Sequence, residues 1–398
     1  MSRKNFGRRV ALMTGAAAFA APAVLRAQGE PIKLGTLTPL TGAGGTYGPP
    51  MAKVAQAIAE EVNAAGGVLG RKVVVISEDD QTNPDAGVRA ARKLIDVDKV
   101  SAVIGTWASA VTTAVAPLCW ESKTFLCTTS GADSITLLPH QGYLIRTQPN
   151  TVLQVTRAGD FLVSLGAKKL FTLVPQTPFA QRTIEIMGDV AKKAGGTHSG
   201  LIYDDKKTTY RTEIDQALRA APDGILAAGY TPDTVVVLKD LYRAGYKGKI
   251  LGQAYAINQK LIEQVGQNDI VEGVYTYSPS VAEGSGALER VKKMSGLANP
   301  DPYTSQVYDH VTMVLMAMAL AKDTTGTAIK DNIRKISQGG GKPVDNAVDG
   351  IKAITAGEKV DYSGASGPCD FDDKGDILDC KFRFEQIKSG KPVVVKIS

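Results

Sequence analysis

The stretch IKLGTLTPLTGAGGTYGPPMAKVAQAIAEEVNAAGG, residues 32–67, decides the fold class of this 398-residue chain. The apolar run Ile32–Leu37 predicts a strand, and Pro49–Ala65 predicts a helix that stops at Gly66-Gly67. Between them, the glycine-rich segment 41–48 follows the strand and opens the helix. A strand that passes into a helix through such a loop is the repeating unit of a parallel α/β sheet.

The alternation of strands and helices continues along the chain. Before Pro149, the pattern predicts segments at 73–77, 84–96, 102–104, 109–119 and 125–128. After Pro149 it restarts, at 170–174, 179–194, 199–203, 209–220, 225–228, 232–244 and 250–252. Three helices and a terminal hairpin are then predicted at 287–294, 305–322, 328–337 and 381–397. The fold class is therefore α/β, with two doubly wound parallel-sheet lobes.

The first 27 residues have the layout of an export signal. A basic start is followed by a mildly apolar stretch at 10–23 and by Ala27, a small residue at the expected cleavage point. The basic residues are Arg3, Lys4, Arg8 and Arg9. The Arg8-Arg9 pair favours the twin-arginine (Tat) route, but no Phe-Leu-Lys follows it, so Tat and Sec both stay open. We expect cleavage near Ala27 and a periplasmic protein.

Charge and motif content exclude several function classes. The formal net charge is +6, and the five basic residues of segment 1–27, which has no acids, reduce the remainder to +1. A near-neutral surface gives no electrostatic case for nucleic acid. The histidines, His140, His198 and His310, are not at metal-ligand spacing, and no Gly-x-Ser-x-Gly motif occurs. We expect a monomer that is not an enzyme and that needs no metal or cofactor.

A dinucleotide site competes as an interpretation of the first loop. Glu78 and Asp79 end the second predicted strand, where an acid would bind a ribose. However, Tyr47 stands where the third glycine of G-x-G-x-x-G belongs, and no Gly-Lys-Ser/Thr phosphate loop occurs. A Tat-exported, dinucleotide-dependent oxidoreductase is therefore the alternative from another class.

The four cysteines predict disulfides, because their number is even and the expected compartment is oxidising. Cys369 and Cys380 flank the turn-like segment 372–376, and we predict that they pair. Cys119 with Cys127 is the remaining pairing. The alternative for these two is a pair of buried thiols.

Two neighbouring predicted strands end in small hydroxyl residues and glycine. Ser109 begins a helix after the strand 102–104, where its hydroxyl and nearby amides suit a carboxylate, or it simply caps the helix. Thr129, Ser130 and Gly131 repeat this arrangement one strand further on. Because ligands of parallel sheets bind at the carboxyl ends of the strands, these segments favour a small polar ligand.

At these segments the chain resembles the type I periplasmic solute-binding proteins of the branched-chain amino acid (leucine/isoleucine/valine-binding) ABC transporter family. The resemblance runs from about residue 31 to the end of the sequence. It is carried by Ile32–Gly35, Pro39–Gly42, Asn63–Arg71, Glu78–Pro84, Val103–Gly105, Ser130–Ala132 and Phe371–Asp376.

The resemblance implies two lobes that close over a ligand about a three-strand hinge. We place the crossovers near 147–150, 277–279 and 361–367. The N-terminal lobe would comprise 28–148 with 279–362, and the C-terminal lobe 149–278 with 363–398.

The resemblance also implies roles for individual residues. Ser109, Thr129 and Gly131 match the hydroxyls and amides that hold the ligand carboxylate in this family. The residues that match its aromatic cleft lining are Tyr47, Phe179 and Tyr230.

Two departures leave this amino acid clamp incomplete. Asp133 stands where the family has a carboxylate-holding Thr, and an acid there repels a carboxylate unless it is protonated or turned away. Ala254, between Gln253 and Tyr255, stands where an acid holds the α-ammonium. Either the amino group is held differently, or the ligand is not a standard branched-chain amino acid.

The aromatic residues near the expected cleft suggest other ligands. Tyr47, Trp107, Phe179, Tyr230 and Tyr255 form a candidate cage that suits an aromatic carboxylate, an amide or a betaine-like cation. Aromatic residues are also common in cores. The leading hypothesis is a receptor that captures an amino acid, or a related small polar solute, and passes it to an inner-membrane ABC permease.

Overall fold

The computed structural model describes Met1 and residues 29–398. The predicted export signal therefore lies outside the described residues, apart from Met1. Among the described residues, no helix combines the length and the apolar character needed to cross a membrane. Two sheets, each flanked by helices, confirm the predicted α/β class with two lobes.

The first lobe is built on five parallel strands. They are β1 (Ile32–Thr38), β2 (Val73–Asp79), β3 (Ala102–Thr106), β4 (Phe125–Thr128) and β5 (Leu144–Arg146). The helices between them are α1 (Gly48–Ala64), α2 (Pro84–Arg92, continued by a π-helical turn, Lys93–Val97) and α3 (Ser109–Glu121). The sheet order is β2-β1-β3-β4-β5. The order reverses at β1, so β1 and β3 enclose a switch point, where doubly wound sheets bind ligands.

The second lobe has a seven-stranded sheet. Its strands are β6 (Lys169–Pro175), β7 (Thr197–Tyr203), β8 (Gly224–Ala227), β9 (Lys249–Gln253), β10 (Tyr275–Pro279), β14 (Phe382–Lys388) and β15 (Lys391–Ile397). Its helices are α4 (Thr151–Ser164), α5 (Ala180–Lys193), α6 (Arg211–Arg219), α7 (Thr231–Arg243), α8 (Gln259–Val265) and α9 (Asn268–Val271). The order is β15-β14-β10-β9-β8-β6-β7. Strands β6 to β10 are parallel, whereas β14 and β15 form the predicted antiparallel hairpin.

The segment after β10 returns to the first lobe. It contains α10 (Gly286–Ser295), α11 (Pro302–Ala321), α12 (Gly326–Asn332), α13 (Arg334–Ser337), β11 (Lys342–Val344), α14 (Ala347–Thr355), β12 (Val360–Gly364) and β13 (Gly367–Pro368). Helix α11 is buried along nearly its whole length because it packs on α1, α14 and β3. Its Asp309 carboxylate accepts hydrogen bonds from the Tyr362 hydroxyl and the Ala365 N–H, which fixes the chain after β12 against the helix.

The packing of the residues after β13 bears on the third crossover, which was predicted near 361–367. Phe371 and Ile377 pack in the apolar core of the first lobe, whereas Phe382 and Phe384 pack in that of the second. We infer that the chain changes lobes at 378–381 rather than at 361–367.

The predicted disulfide between Cys369 and Cys380 is wrong, since both are free thiols. The two cysteines flank an antiparallel turn in which Phe371 pairs with Ile377. Continuing this register places Cys369 opposite Asp379. Cys380 is one residue further along, so its side chain points to the opposite face of the strand. Cys369 accordingly packs in the first core and Cys380 against the second.

The predicted pairing of Cys119 with Cys127 is also wrong. Both are free thiols, buried in α3 and β4 respectively. Burial in the apolar core raises the pKa of Cys119 to about 12 and that of Cys127 well above its usual value. Since the thiolate is the reactive form, these cysteines act as small apolar core residues.

Candidate ligand-binding cleft

A cavity of about 50 Å³ lies between the lobes, and we call it the main cavity. It is lined by the loops after β3, β4 and β9, by the first turns of α4, α5, α7 and α11, and by one residue of the first crossover. Its lining is Trp107, Ser109, Thr129, Gly131, Gln148, Thr151, Gln154, Val155, Phe179, Thr183, Tyr230, Gln253, Tyr255 and Tyr303. The strands of both lobes thus direct their carboxyl ends to one crevice.

Most of the predicted site residues meet at the main cavity. Those that line it are Trp107, Ser109, Thr129, Gly131, Phe179, Tyr230, Gln253 and Tyr255. Tyr47 stacks on Trp107, with ring centroids 5.6 Å apart, and lines an adjoining cavity instead. Adjacent strand ends explain why Ser109 and Thr129 are neighbours although they lie on different loops.

Ser130 and Asp133 do not line the main cavity. The Ser130 hydroxyl is fully buried and lies 3.1 Å from the Thr106 carbonyl and 2.8 Å from the Trp107 carbonyl, so it fixes the loop behind the cavity. The Asp133 carboxylate turns towards Arg182 of α5, with an N–O distance of 3.4 Å. The negative charge is therefore directed away from the cavity.

Uncharged polar groups gather at the start of α3, and we call this side of the cavity the carboxylate pole because such groups suit a carboxylate. Ser109 is the first residue of this helix, and its Oγ accepts a hydrogen bond from the Ala132 N–H at 3.2 Å. The hydroxyls of Ser109 and Thr129 and the amide end of α3 are the polar groups on this side of the cavity. A helix N-terminus stabilises a negative charge by its unpaired N–H groups and its dipole. No residue described as lining the main cavity is charged, so neutral donors must hold a carboxylate here.

Aromatic rings from both lobes fill the rest of the cleft. Trp107 of the first lobe has its ring centroid 5.7 Å from that of Tyr230 and 5.5 Å from that of Tyr255, both of the second lobe. Tyr303, on α11, meets Trp107 edge-on at 5.7 Å. These contacts close the cleft and leave the main cavity smaller than the roughly 150 Å³ cavities that accept benzene. A ligand therefore enters when the lobes separate or the rings move.

The Tyr47 hydroxyl connects the lobes directly. It donates to the Tyr255 carbonyl at 3.0 Å and accepts a hydrogen bond from the Asn258 side-chain amide at 3.0 Å. Burial raises the pKa of Tyr47, so the hydroxyl keeps its proton and its role as a donor. Because both partners belong to the second lobe, these hydrogen bonds exist only in the closed arrangement.

A second cavity of about 60 Å³ adjoins the first on the side of the hinge, and we call it the hinge-side cavity. Its lining is Tyr47, Gln154, Gln253, Ala254, Tyr255, Tyr277, Ser278, Pro279, Asp301, Pro302 and Tyr303. Four of these residues also line the main cavity, namely Gln154, Gln253, Tyr255 and Tyr303. The two cavities are therefore neighbours that share a wall.

Sequence reasoning missed several lining residues. Gln148, Thr151, Gln154, Val155, Thr183 and Tyr303 line the main cavity but were not predicted. Four of them lie in or just before α4, which the sequence analysis did not identify. The signal was present, since Asn150 caps α4 by accepting a hydrogen bond from the Leu153 N–H. Tyr303 could not be found this way, because α11 lies far from the other site residues in sequence.

The glycine-rich loop 41–48 is packed against protein. A Cβ at Gly44 would lie 2.7 Å from the Trp107 ring, and one at Gly48 would lie 2.1 Å from the Pro39 carbonyl oxygen. Glycine at these two positions lets the loop backbone pack closely against Trp107 and Pro39 of the first lobe. Close packing therefore accounts for Gly44 and Gly48 without a bound phosphate.

Two α/β lobes that line one crevice with polar strand ends and rings define a bilobal solute-binding protein. The sequence profile of the Periplasmic binding protein family matches residues 31–392. The chain therefore belongs to this family. The relatives that it matches include proteins described as a chemotactic substrate-binding protein, an amino acid binding protein and Leu/Ile/Val-binding protein homologues.

Individual relatives have low sequence identity but share the fold. The chain is 24% identical over 353 residues to the chemotactic signal transduction system substrate-binding protein BasB of Halobacterium salinarum, covering 86% of this chain and 84% of BasB. The leucine binding protein LivK of Thermotoga maritima superposes with a TM-score of 0.78 at 22% identity, over 92% of this chain and 98% of LivK. An ABC transporter solute-binding protein of R. palustris in complex with 4-hydroxybenzoate gives 0.74 at 17%, over 92% and 96%.

Proposed function

We propose that this protein is the receptor of an ABC importer, that it captures a small carboxylate-bearing solute between its lobes, and that it presents the closed form to an inner-membrane permease. The observation that carries the proposal is the main cavity, where the start of α3 with Ser109 and Thr129 faces rings from both lobes. A ligand that contacts both sides stabilises the closed form over the open one.

An amino acid or related solute is the first ligand class, because the carboxylate pole matches the resemblance. Ala254 supplies no charge at the position where the family has its ammonium-binding acid. The neighbouring Tyr255 hydroxyl donates to the Gln253 side-chain carbonyl at 2.6 Å, so these two side chains partly satisfy each other. In the main cavity, an α-ammonium group would therefore contact neutral oxygens and aromatic ring faces rather than a carboxylate.

An aromatic carboxylate is the second candidate. It is favoured by the cluster of Trp107, Tyr230, Tyr255 and Tyr303, whose rings are available to stack on an aromatic guest. The R. palustris protein with 4-hydroxybenzoate shows that the same fold accepts such a guest. Betaine-like cations use the same ring faces through cation–π attraction.

Thermal unfolding with and without solutes tests the proposal. A ligand that binds only the folded protein raises its stability by about 2.7 kcal/mol at a hundred times its Kd, so a carboxylate-bearing ligand should raise Tm clearly. Ser109→Ala and Thr129→Val should each weaken binding about tenfold, the loss expected for a hydrogen bond to a charged group. Ser164→Ala is the matched control, since that hydroxyl bonds within α4 to the Phe161 carbonyl. If no carboxylate shifts Tm, the proposal is overturned.

A further inference from the structure

Among the residues described as lining the two cavities, Asp301 of the hinge-side cavity is the only acid. Asp301 is the N-cap of α11, and its carboxylate accepts from the Thr304 N–H at 2.9 Å and from the Thr304 hydroxyl at 2.7 Å. Ala254 lines the same cavity and brings no charge to it. Asp301 thus brings a carboxylate from the first lobe to a cavity in which the lining residues of the second lobe are uncharged.

Asp301 forms no ion pair with any of the described residues, 29–398. No cation of this part of the chain therefore neutralises its charge at close range. Lys53, which lines a larger surface groove together with Asp301, donates its ammonium to the Ser295 carbonyl at 2.9 Å instead. Burial raises the pKa of Asp301, because the carboxylate has lost water without gaining a positive partner. A bound cation would restore that balance.

Tyrosine rings surround the same space. Tyr47 and Tyr303 meet edge-on with centroids 5.4 Å apart, and Tyr255 lies 6.5 Å from Tyr303. An alkylammonium group is attracted to such ring faces by the negative potential over the ring. The Tyr277 hydroxyl is buried beside the Gln253 side chain and forms no hydrogen bond of good geometry among the described residues, so its oxygen can accept from an N–H donor. Rings, hydroxyl and carboxylate together make the surroundings of an ammonium group.

We propose that the hinge-side cavity is a cation subsite and that the ligand is a zwitterion, with its carboxylate at Ser109 and Thr129 and its ammonium beside Asp301. This inference rests on the proposed function, since it assumes the carboxylate pole. The two cavities are separated by the shared residues Tyr255 and Tyr303. The two charges of the ligand would therefore lie on either side of this shared wall, which favours a longer spacer than that of an α-amino acid.

Calorimetric titration with ω-amino acids tests the separation of charges. The probes are glycine, 4-aminobutanoate, 5-aminopentanoate and 6-aminohexanoate, with leucine as the α-amino acid, pentanoate and hexanoate as uncharged-tail controls, and 4-hydroxybenzoate as the aromatic acid. We expect an optimum among the longer ω-amino acids, at least tenfold tighter than leucine. An optimum at leucine or glycine, or equal binding of pentanoate and 5-aminopentanoate, overturns the cation subsite.

Asp301→Asn tests the acid itself. Asn is as good an N-cap as Asp, so the variant should keep α11 intact and its Tm near that of the wild type. It should weaken the best ω-amino acid at least tenfold and leave hexanoate unchanged. Asp323→Asn is the matched control, because Asp323 also accepts from the N–H and hydroxyl of a Thr, at Thr325, and does not line either cavity.

Tyr277→Phe is a second variant that does not depend on the cap. It should weaken binding of the best ω-amino acid three- to fivefold. Binding of the same compound with a trimethylated nitrogen should not change, because only an N–H group donates to the hydroxyl oxygen. Unchanged binding in both variants overturns the cation subsite, even if leucine, hexanoate or 4-hydroxybenzoate binds and supports the proposed function. If no carboxylate binds the wild type, the proposed function itself fails.

Discussion

The Asp133 carboxylate of the first lobe lies 3.4 Å from the Arg182 guanidinium of the second. Asp133 also accepts a hydrogen bond at 3.3 Å from the Val152 N–H, in the first turn of α4. The residue that stood against a carboxylate ligand in the sequence analysis therefore bridges the two lobes. An acid at this position assists closure and leaves the carboxylate pole uncharged.

Neutralising this bridge should weaken ligand binding slightly and in a salt-dependent way. Arg182 is 46% exposed, so its pair with Asp133 contributes no more than about 1 kcal/mol. Asp133→Asn should lower affinity up to about fivefold at low salt, and 0.5 M NaCl should abolish the difference. Calorimetry on Asp133→Asn, Arg182→Gln and the double variant isolates the pair, since Arg182 also contacts Glu185. A loss that is insensitive to salt contradicts this role.

Gly131→Ala should close the main cavity. A Cβ at Gly131 would lie 2.5 Å from the Gln154 side-chain nitrogen, which donates to the Pro149 carbonyl. The displaced amide would occupy space in the cavity, and we expect at least a tenfold loss of affinity by calorimetry. Gly188→Ala is the control, since a Cβ there meets only the His198 ring, at 3.6 Å. In α5 this substitution should raise stability by up to about 1 kcal/mol.

The Arg146–Asp376 pair supports the cavity loop from behind. Arg146 is fully buried and donates to the Asp376 carboxylate and, at 2.7 Å, to the Ala132 carbonyl. Asp376→Asn leaves a buried guanidinium unpaired, which costs about 3–5 kcal/mol. Urea unfolding should show this loss, whereas Asp373→Asn in the same turn should change stability by less than about 0.5 kcal/mol. Equal effects would show that Asp376 acts only as a turn residue.

Acid should destabilise the protein through His310. This side chain is fully buried, and its Nε2 lies 2.8 Å from the Thr147 hydroxyl. Burial lowers the pKa of His310 to about 3, so from about pH 6.5 downwards the unfolded chain binds a proton that the folded protein does not. The stabilising contribution, complete above pH 6.5, is lost towards pH 3 at up to about 1.4 kcal/mol per pH unit.

Urea unfolding of the wild type and His310→Gln between pH 7 and 4 measures this contribution. The wild type should lose more stability on acidification than the variant. Burial raises the pKa of the adjacent Asp309 to about 6, and that group acts in the opposite direction. Its contribution is present at low pH and is lost as pH rises through 6, in both proteins. Parallel pH profiles would contradict the assignment to His310.

The sequence predicted what depends on local pattern. The alternation of apolar runs and helix stops predicted both parallel sheets. The adjacent strand ends predicted that Ser109 and Thr129 lie close together. What failed depends on register and on distant packing. Cys369 lies opposite Asp379, one residue away from Cys380. The hydrophobic pattern of a sequence does not reveal a shift of one residue in strand pairing. Tyr303 and Asp301 reach the cleft because α11 packs on α1 and β3, which lie about 250 and about 200 residues earlier in the sequence.

The position of Trp107 gives the protein an optical signal of its own. The chain has two tryptophans, and Trp120 lies at the far end of α3, away from the cleft. Trp107 contacts Tyr230 and Tyr255 across the lobe boundary. Each opening exchanges those rings for water around the indole. The intrinsic fluorescence of the Trp120→Phe variant, in which Trp107 is the remaining tryptophan, should therefore change when the lobes open or close. Its time course measures the rate of closure in unlabelled protein.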